Sequence, residues 1–144
     1  MNIEIRIPGK PIAKKRPHFF VRKKKDGGII TGAKNDQKTE EGRFQVQVIE
    51  QLPDGFKPYE RDVGLLLSCF FGMPIPKSTS KKKCLEMRTG KIQHTKRPDT
   101  DNMVKFVKDC CNGIVWHDDC QVVHLQAQKA YSIIPETQIY ITEL

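Results

Sequence analysis

The chain has no apolar run near the roughly 18 residues of a membrane-spanning helix. Its start, Met1-Asn2-Ile3-Glu4-Ile5, puts charge where a secretory leader needs an apolar stretch. No membrane partner and a cytoplasmic location are the expectations. The five cysteines (Cys69, Cys84, Cys110, Cys111 and Cys120) form an odd set without a CxxC pair. Reduced thiols fit that better than a disulfide framework. A zinc site from His117, Cys120, His124 and Cys110 or Cys111 is conceivable, but the spacing matches no common zinc module. The phosphate-loop, GxSxG and GxGxxG patterns are all missing, which argues against nucleotide-triphosphate, serine-hydrolase and dinucleotide chemistry and leaves no small-molecule cofactor to expect.

Acid is scarce where base is dense. Residues 10–25 hold Lys10, Lys14, Lys15, Arg16, Arg22, Lys23, Lys24 and Lys25 with no carboxylate, and residues 77–98 hold Lys77, Lys81, Lys82, Lys83, Arg88, Lys91, Lys96 and Arg97 against Glu86 alone. These two segments carry sixteen of the 25 basic residues in a chain of net charge +8. Such a field suits a phosphate backbone. Either run alone would also be consistent with a solvated loop.

The 144 residues fit one domain, residues 1–144, with 38% hydrophobic content to build its core. Ile3, Ile5 and Ile7 alternate with polar residues and predict a half-buried strand over 2–8. Gly27-Gly28 marks a turn at the tip of a basic excursion. Residues 35–51 predict a helix, closed by Pro53-Asp54-Gly55. Residues 62–72 predict a strand covered on both faces. Ser78 or Ser80 can cap a short basic helix ending at Gly90. Asp101 or Asn102 can cap a helix over 102–112, with Met103, Val107, Cys110, Cys111 and Ile114 as its buried stripe and Gly113 as its stop. Trp116 and Phe106 stand in apolar surroundings and are expected in the core. Strand alternation returns at Val123, Leu125 and Ala127, and Ile139 and Ile141 mark a last strand. The expected fold is α+β, a mixed sheet packed by helices.

The acids that do occur near the basic runs are concentrated. Asp99 and Asp101 lie two residues apart at the approach to a helix, where alternate side chains point the same way. Asp118 and Asp119 follow in the turn beyond it, and the extended segment between can carry that turn back toward the helix start. Hard oxygen ligands suit Mg²⁺, with Mn²⁺ as a substitute. A cation beside a bound phosphate backbone points to phosphodiester hydrolysis. Lys105 stands four residues after Asp101 and could serve the same chemistry. The competing readings are a helix cap for Asp-x-Asp, turn chemistry for Asp-Asp, and a surface partner of Asp101 for Lys105. His117 is a weak further candidate.

The string Arg97-Pro98-Asp99-Thr100-Asp101-Asn102, then Lys105, Asp109, Asn112-Gly113 and Trp116-His117-Asp118-Asp119-Cys120-Gln121-Val122, resembles the signature of the RusA family of Holliday junction resolvases. Ile7-Pro8-Gly9-Lys10-Pro11 with Lys14-Lys15-Arg16, and Pro74-Ile75-Pro76-Lys77-Ser78 with Ser80-Lys81-Lys82-Lys83, are similar to that family too. The resemblance implies a homodimeric, Mg²⁺-dependent endodeoxyribonuclease of bacteria and prophages. Such an enzyme resolves four-way DNA junctions by paired symmetric cuts in recombination and repair. It implies metal-binding catalytic roles for Asp99, Asp101 and Asp119, an essential role for Lys105, and DNA contacts near Lys14, Lys15, Arg16, Lys96 and Arg97. Charge alone adds Lys81, Lys82 and Lys83 as candidate DNA contacts. The alternative is a non-catalytic phage or prophage DNA-binding accessory protein, in which the aspartates would be structural.

Overall fold

A computed structural model describes residues 1–16, 18–34 and 36–144. Four strands form the main sheet: β1 (Asn2–Pro8), β4 (Leu65–Pro74), β5 (Val122–Ser132) and β6 (Glu136–Glu143), in the order β1-β6-β4-β5. β6 runs antiparallel to both β1 and β4, while β5 lies parallel to β4 on the outer edge. Strands β2 (His18–Lys23) and β3 (Ile29–Lys34) pair only with each other, as a separate hairpin. Three helices complete the fold: α1 (Lys38–Gln51), α2 (Lys81–Arg88) and α3 (Thr100–Cys111). The α+β expectation holds.

One face of the sheet carries the core. Ile3 faces Ile141, and Ile141 faces Leu67; Ile5, Ile139 and Cys69 repeat the row two residues along. Phe44 and Val48 of α1 and six residues of α3 (Met103, Val104, Phe106, Val107, Cys110, Cys111) close over it. Phe44 and Phe106 meet edge to face, 5.2 Å between ring centres. The α3 stripe thus gains Val104 and Phe106, while the fifth predicted member, Ile114, lies just beyond the helix and packs partly buried against the core. Trp116 and Phe106 are fully buried, as expected.

Three expectations need correction. The α1 helix starts at Lys38, later than 35, and Asn35 itself lies outside the described residues. β4 is covered on one face only: Leu65, Leu67, Cys69, Phe71 and Met73 are buried, while Leu66, Ser68 and Phe70 are half-buried. The alternation at Val123 is broken by a register shift, since Leu65 pairs with Val122 and Leu66 with His124. The extra residue turns Val123 outward, 67% exposed, and lets Val122 pack on the core. The turn expected at Gly27-Gly28 is present, at the tip of the β2–β3 hairpin.

Candidate active site

Helix α3 carries most of the candidate residues, and its capping differs from expectation. The cap is Asp99, with extended backbone (φ −70°, ψ 143°), and not Asp101 or Asn102. Its carboxylate makes no capping hydrogen bond, which removes the simplest structural explanation for an aspartate there. Asp101 stands in the first turn, exposed, and Lys105 one turn later, also exposed. The two do not form an ion pair among the described residues, so the surface-partner reading of Lys105 finds no support.

The approach to the helix is held from the sheet. Lys129 of β5 shares the core-side register with Phe71. Its ammonium donates to the carbonyl oxygens of Lys96 (2.6 Å) and Pro98 (2.9 Å). With these carbonyls turned toward Lys129, the exposed side chains of Lys96 and Arg97 face solvent. The sequence reading missed Lys129. Its signal was a lone cation continuing the Leu125, Ala127 alternation, where the strand's sheet face calls for an apolar residue.

The second acidic turn is built around Gln121. This buried side chain accepts from the backbone N–H of His117 (2.9 Å) and Asp118 (3.3 Å). It donates to the carbonyls of Tyr59 (3.4 Å), Glu60 (2.8 Å) and Val63 (3.3 Å). A buried amide so fully bonded fixes its loop strongly. Trp116 anchors the same turn, its indole N–H donating to Asn112 Oδ1 at 2.7 Å. Asp118 is the cap of the short 3-10 turn Asp119–Gln121 and accepts from Cys120 N–H at 3.2 Å. Turn chemistry therefore accounts for Asp118 but leaves Asp119 over.

Asp119 is half-buried, and burial followed by its hydrogen bond with Asp118 raises its carboxyl above the usual range. Asp118 moves the other way, held down first by the Cys120 N–H and then by Asp119. Of the two, Asp119 takes up the first proton. Lys108 opposes the rise at Asp119, and Asp109 adds to it. Asp119 thus lies beside the second half of α3. Asp101, Lys105 and Lys108 share one flank of that helix, and Asp101 and Lys108 are about 10 Å apart along the axis. The expected return of the turn to the helix start is not complete. Among the described residues no three His, Cys, Asp or Glu side chains are close enough to hold one cation. The zinc alternative fails too: Cys110 and Cys111 are buried in the core while Cys120 is exposed. His117 is exposed and donates only its backbone N–H within the turn.

In donor chemistry the aspartates suit a hard divalent ion. Asp99 and Asp101 are exposed, without a side-chain partner among the described residues, and Asp119 borders the same helix.

The basic residues divide in two. Lys14 is partly buried and bonded to Glu41 (2.9 Å) and Asp109 (3.3 Å), while its N–H donates to the carbonyl of Asn102 (3.0 Å). It ties the N-terminal segment to α1 and α3, so its charge is already neutralised where a free phosphate contact was expected. Buried Gln37 clamps the same segment, donating to Ala13 O (2.7 Å) and accepting from Lys15 N–H (2.6 Å). Lys15 is exposed with a loose approach to Glu40 (3.6 Å), and Arg16 is exposed. Lys81, Lys82 and Lys83 form the exposed first turn of α2, capped by Ser80, with no acid among them. Cations there oppose the helix dipole, which makes them more useful to an anionic partner than to the helix.

Among the described residues no helix is long and apolar enough to cross a membrane. A curated relative, an uncharacterized Bacillus subtilis (strain 168) protein called YqaN, is 30% identical over 145 residues, covering 99% of this chain and 96% of its own. The family model for endodeoxyribonuclease RusA matches residues 8–142, a span that runs from the end of β1 through both acidic turns into β6. With nearly the whole fold inside that match, the chain belongs to the RusA endodeoxyribonuclease family.

Proposed function

We propose that this protein is an Mg²⁺-dependent endonuclease that cuts four-way DNA junctions, acting as a homodimer that makes paired symmetric incisions. The observation that carries the reading is the flank of α3, where, among the described residues, Asp99 and Asp101 are exposed without side-chain partners and Lys105 follows with no ion pair. Asp99 and Asp101 would hold the cation, with Asp119 completing the set only if its turn moves toward the start of α3, since the three are not gathered in this structure. When bound, Mg²⁺ supplies Lewis-acid stabilisation of charge on the phosphodiester, and Mn²⁺ can substitute for it. Lys105 offers an ammonium to the charge that develops on the phosphoryl oxygens. Lys15, Arg16, Lys81, Lys82, Lys83, Lys96 and Arg97 hold the phosphate backbones. Lys14 keeps the N-terminal segment against α3. A C₂ dimer presents one such flank to each of two opposed strands.

The test is a synthetic four-way junction beside a linear duplex of matching sequence, each with Mg²⁺ and with chelator. Metal-dependent nicks placed symmetrically in the junction, with the duplex uncut, are expected. Tight junction binding with no cleavage in any divalent metal would favour the accessory-protein reading instead.

A further inference from the structure

The β2–β3 hairpin contributes nothing to the core, and its two faces differ. On one face, Phe20 lies across Gly32. A Cβ at Gly32 would stand 2.7 Å from the ring tip, and the Arg22 guanidinium sits 5.3 Å from the ring centre. On that face Phe20 and Ile30 remain 37 and 42% exposed, less than the residues opposite. The opposite face carries Phe19, Val21 and Ile29, exposed by 84, 72 and 70%, with Lys23 directly across from Ile29. Phe19 pairs with Ala33 and Val21 with Thr31, so nothing large on the partner strand shields them. At the tip Asp26 accepts from Gly28 N–H (2.9 Å), and Gly27 (φ +89°) allows the turn, leaving Lys24 and Lys25 exposed and without ion pairs among the described residues.

We infer that the hairpin is a DNA-contacting arm: Phe19 stacks on a base pair left open at a branch point while Arg22, Lys23, Lys24 and Lys25 follow the adjoining phosphates. The charge decides the occupant. A second copy of the chain on this face would bring two such cationic tips together. An apolar protein partner would have to bury Lys23 along with Ile29. A nucleic acid satisfies both parts, since every exposed base offers a flat apolar face and every nucleotide a negative charge. An intact duplex has bases exposed only at its ends, whereas a four-way junction exposes them at its centre. The arm therefore gives preference for branched over linear DNA. It rests on the reading of this protein as a junction-acting enzyme.

The experiment measures equilibrium binding of the full chain, without divalent metal, to a four-way junction and to a duplex with capped ends. The junction carries 2-aminopurine at its centre. Phe19→Ala should weaken junction binding about tenfold, leave duplex binding within about twofold, and abolish the fluorescence change at the centre. Phe19→Trp should retain both. Replacing Lys23, Lys24 and Lys25 by alanine should flatten the salt dependence for both DNAs by up to about 2.7 units of log slope. Phe19 is exposed, so an unchanged melting temperature is expected and keeps the comparison clean. Wild-type affinity and fluorescence change in Phe19→Ala would overturn the inference, as would a change in sedimentation coefficient indicating that Phe19 joins two copies. Cleavage is scored separately. A wild type that binds but never cuts overturns the nuclease reading and leaves the arm standing. A Phe19→Ala variant that binds and cuts like wild type does the reverse.

Discussion

Replacing Lys129 by methionine keeps the length and apolar stem of the side chain and removes its charge. The two hydrogen bonds to the carbonyls of Lys96 and Pro98 are lost. Buried bonds to a charged group are worth roughly 1.5–3 kcal/mol each. Here one is solvent-exposed and the other partly buried, and the freed carbonyls can turn to water, so about 1–2 kcal/mol in total is the reasonable figure. At roughly 3–4 °C per kcal/mol for a domain of this size, the melting temperature should fall by about 3–8 °C. The larger effect should fall on catalysis. Asp99 follows Pro98 directly, and a displacement of about 1 Å at a reacting group can cost roughly a hundredfold. Hydrogen exchange should locate the change, with faster exchange near residues 96–101 and none in β1 or β6. Lys129→Arg, whose guanidinium can also donate to two carbonyls, should recover much of the rate. Unaltered exchange near residues 96–101, together with wild-type melting, would refute the claim that Lys129 holds the approach to α3.

Asp99→Asn, Asp101→Asn and Asp119→Asn should each remove metal-dependent cleavage and preserve or tighten junction binding in gel-shift titrations; near-normal cleavage in any two would sink the proposed ligand set. Lys105→Ala should cost roughly 10²–10³ in single-turnover rate with little change in melting temperature, because the ammonium is exposed and forms no ion pair among the described residues. Lys14→Ala should behave in the opposite way, lowering thermal stability through loss of its bonds to Glu41 and Asp109 while leaving the salt slope of binding nearly unchanged; the triple change at Lys81, Lys82 and Lys83 should flatten that slope by up to about 2.7 units. Burial, followed by the charges of Lys129, Lys96 and Lys10, holds the His94 imidazole below its ordinary value of 6.5. Its contribution to stability is therefore intact above that value and lost as pH falls through the folded value. Melting curves from pH 7.5 to 5 should show the decline in wild type and a shallower one in His94→Gln.

Helix α3 was legible in the sequence because apolar spacing and Gly113 report local chemistry. Its cap was not, because Asp99, Asp101 and Asn102 are equally good capping residues and only the backbone decides among them. The final strand was clear, whereas β5 was misread at Val123 alone, Leu125 and Ala127 keeping the expected phase. A one-residue shift opposite Leu65 and Leu66 leaves no mark in a window of alternating residues. The aspartates and Lys105 stood out by their spacing. Lys129 did not, since its partners are carbonyl oxygens far off in sequence, and backbone acceptors have no signature. Lys14 looked like one more cation in a basic run, and only the packing of α1 beside α3 brought Glu41 and Asp109 to it. The hairpin was obscured because the basic residues dominate that segment, and its apolar residues face outward instead of into a core.

The placement of β6 has a consequence for how the protein comes into being on the ribosome. β6 lies between β1 and β4 yet follows every other element in the chain. Until residues 136–143 emerge, β1 has no neighbour in the sheet, and β4 is paired on one side alone. A nascent chain can wind α1 and α3 early, because their contacts are local. It cannot seat Ile3 or Ile5 against Ile141 and Ile139 before those residues emerge. Contacts so far apart in sequence close slowly, so α3, which carries most of the candidate nuclease residues, gains a firm floor only once β6 has slotted between β1 and β4.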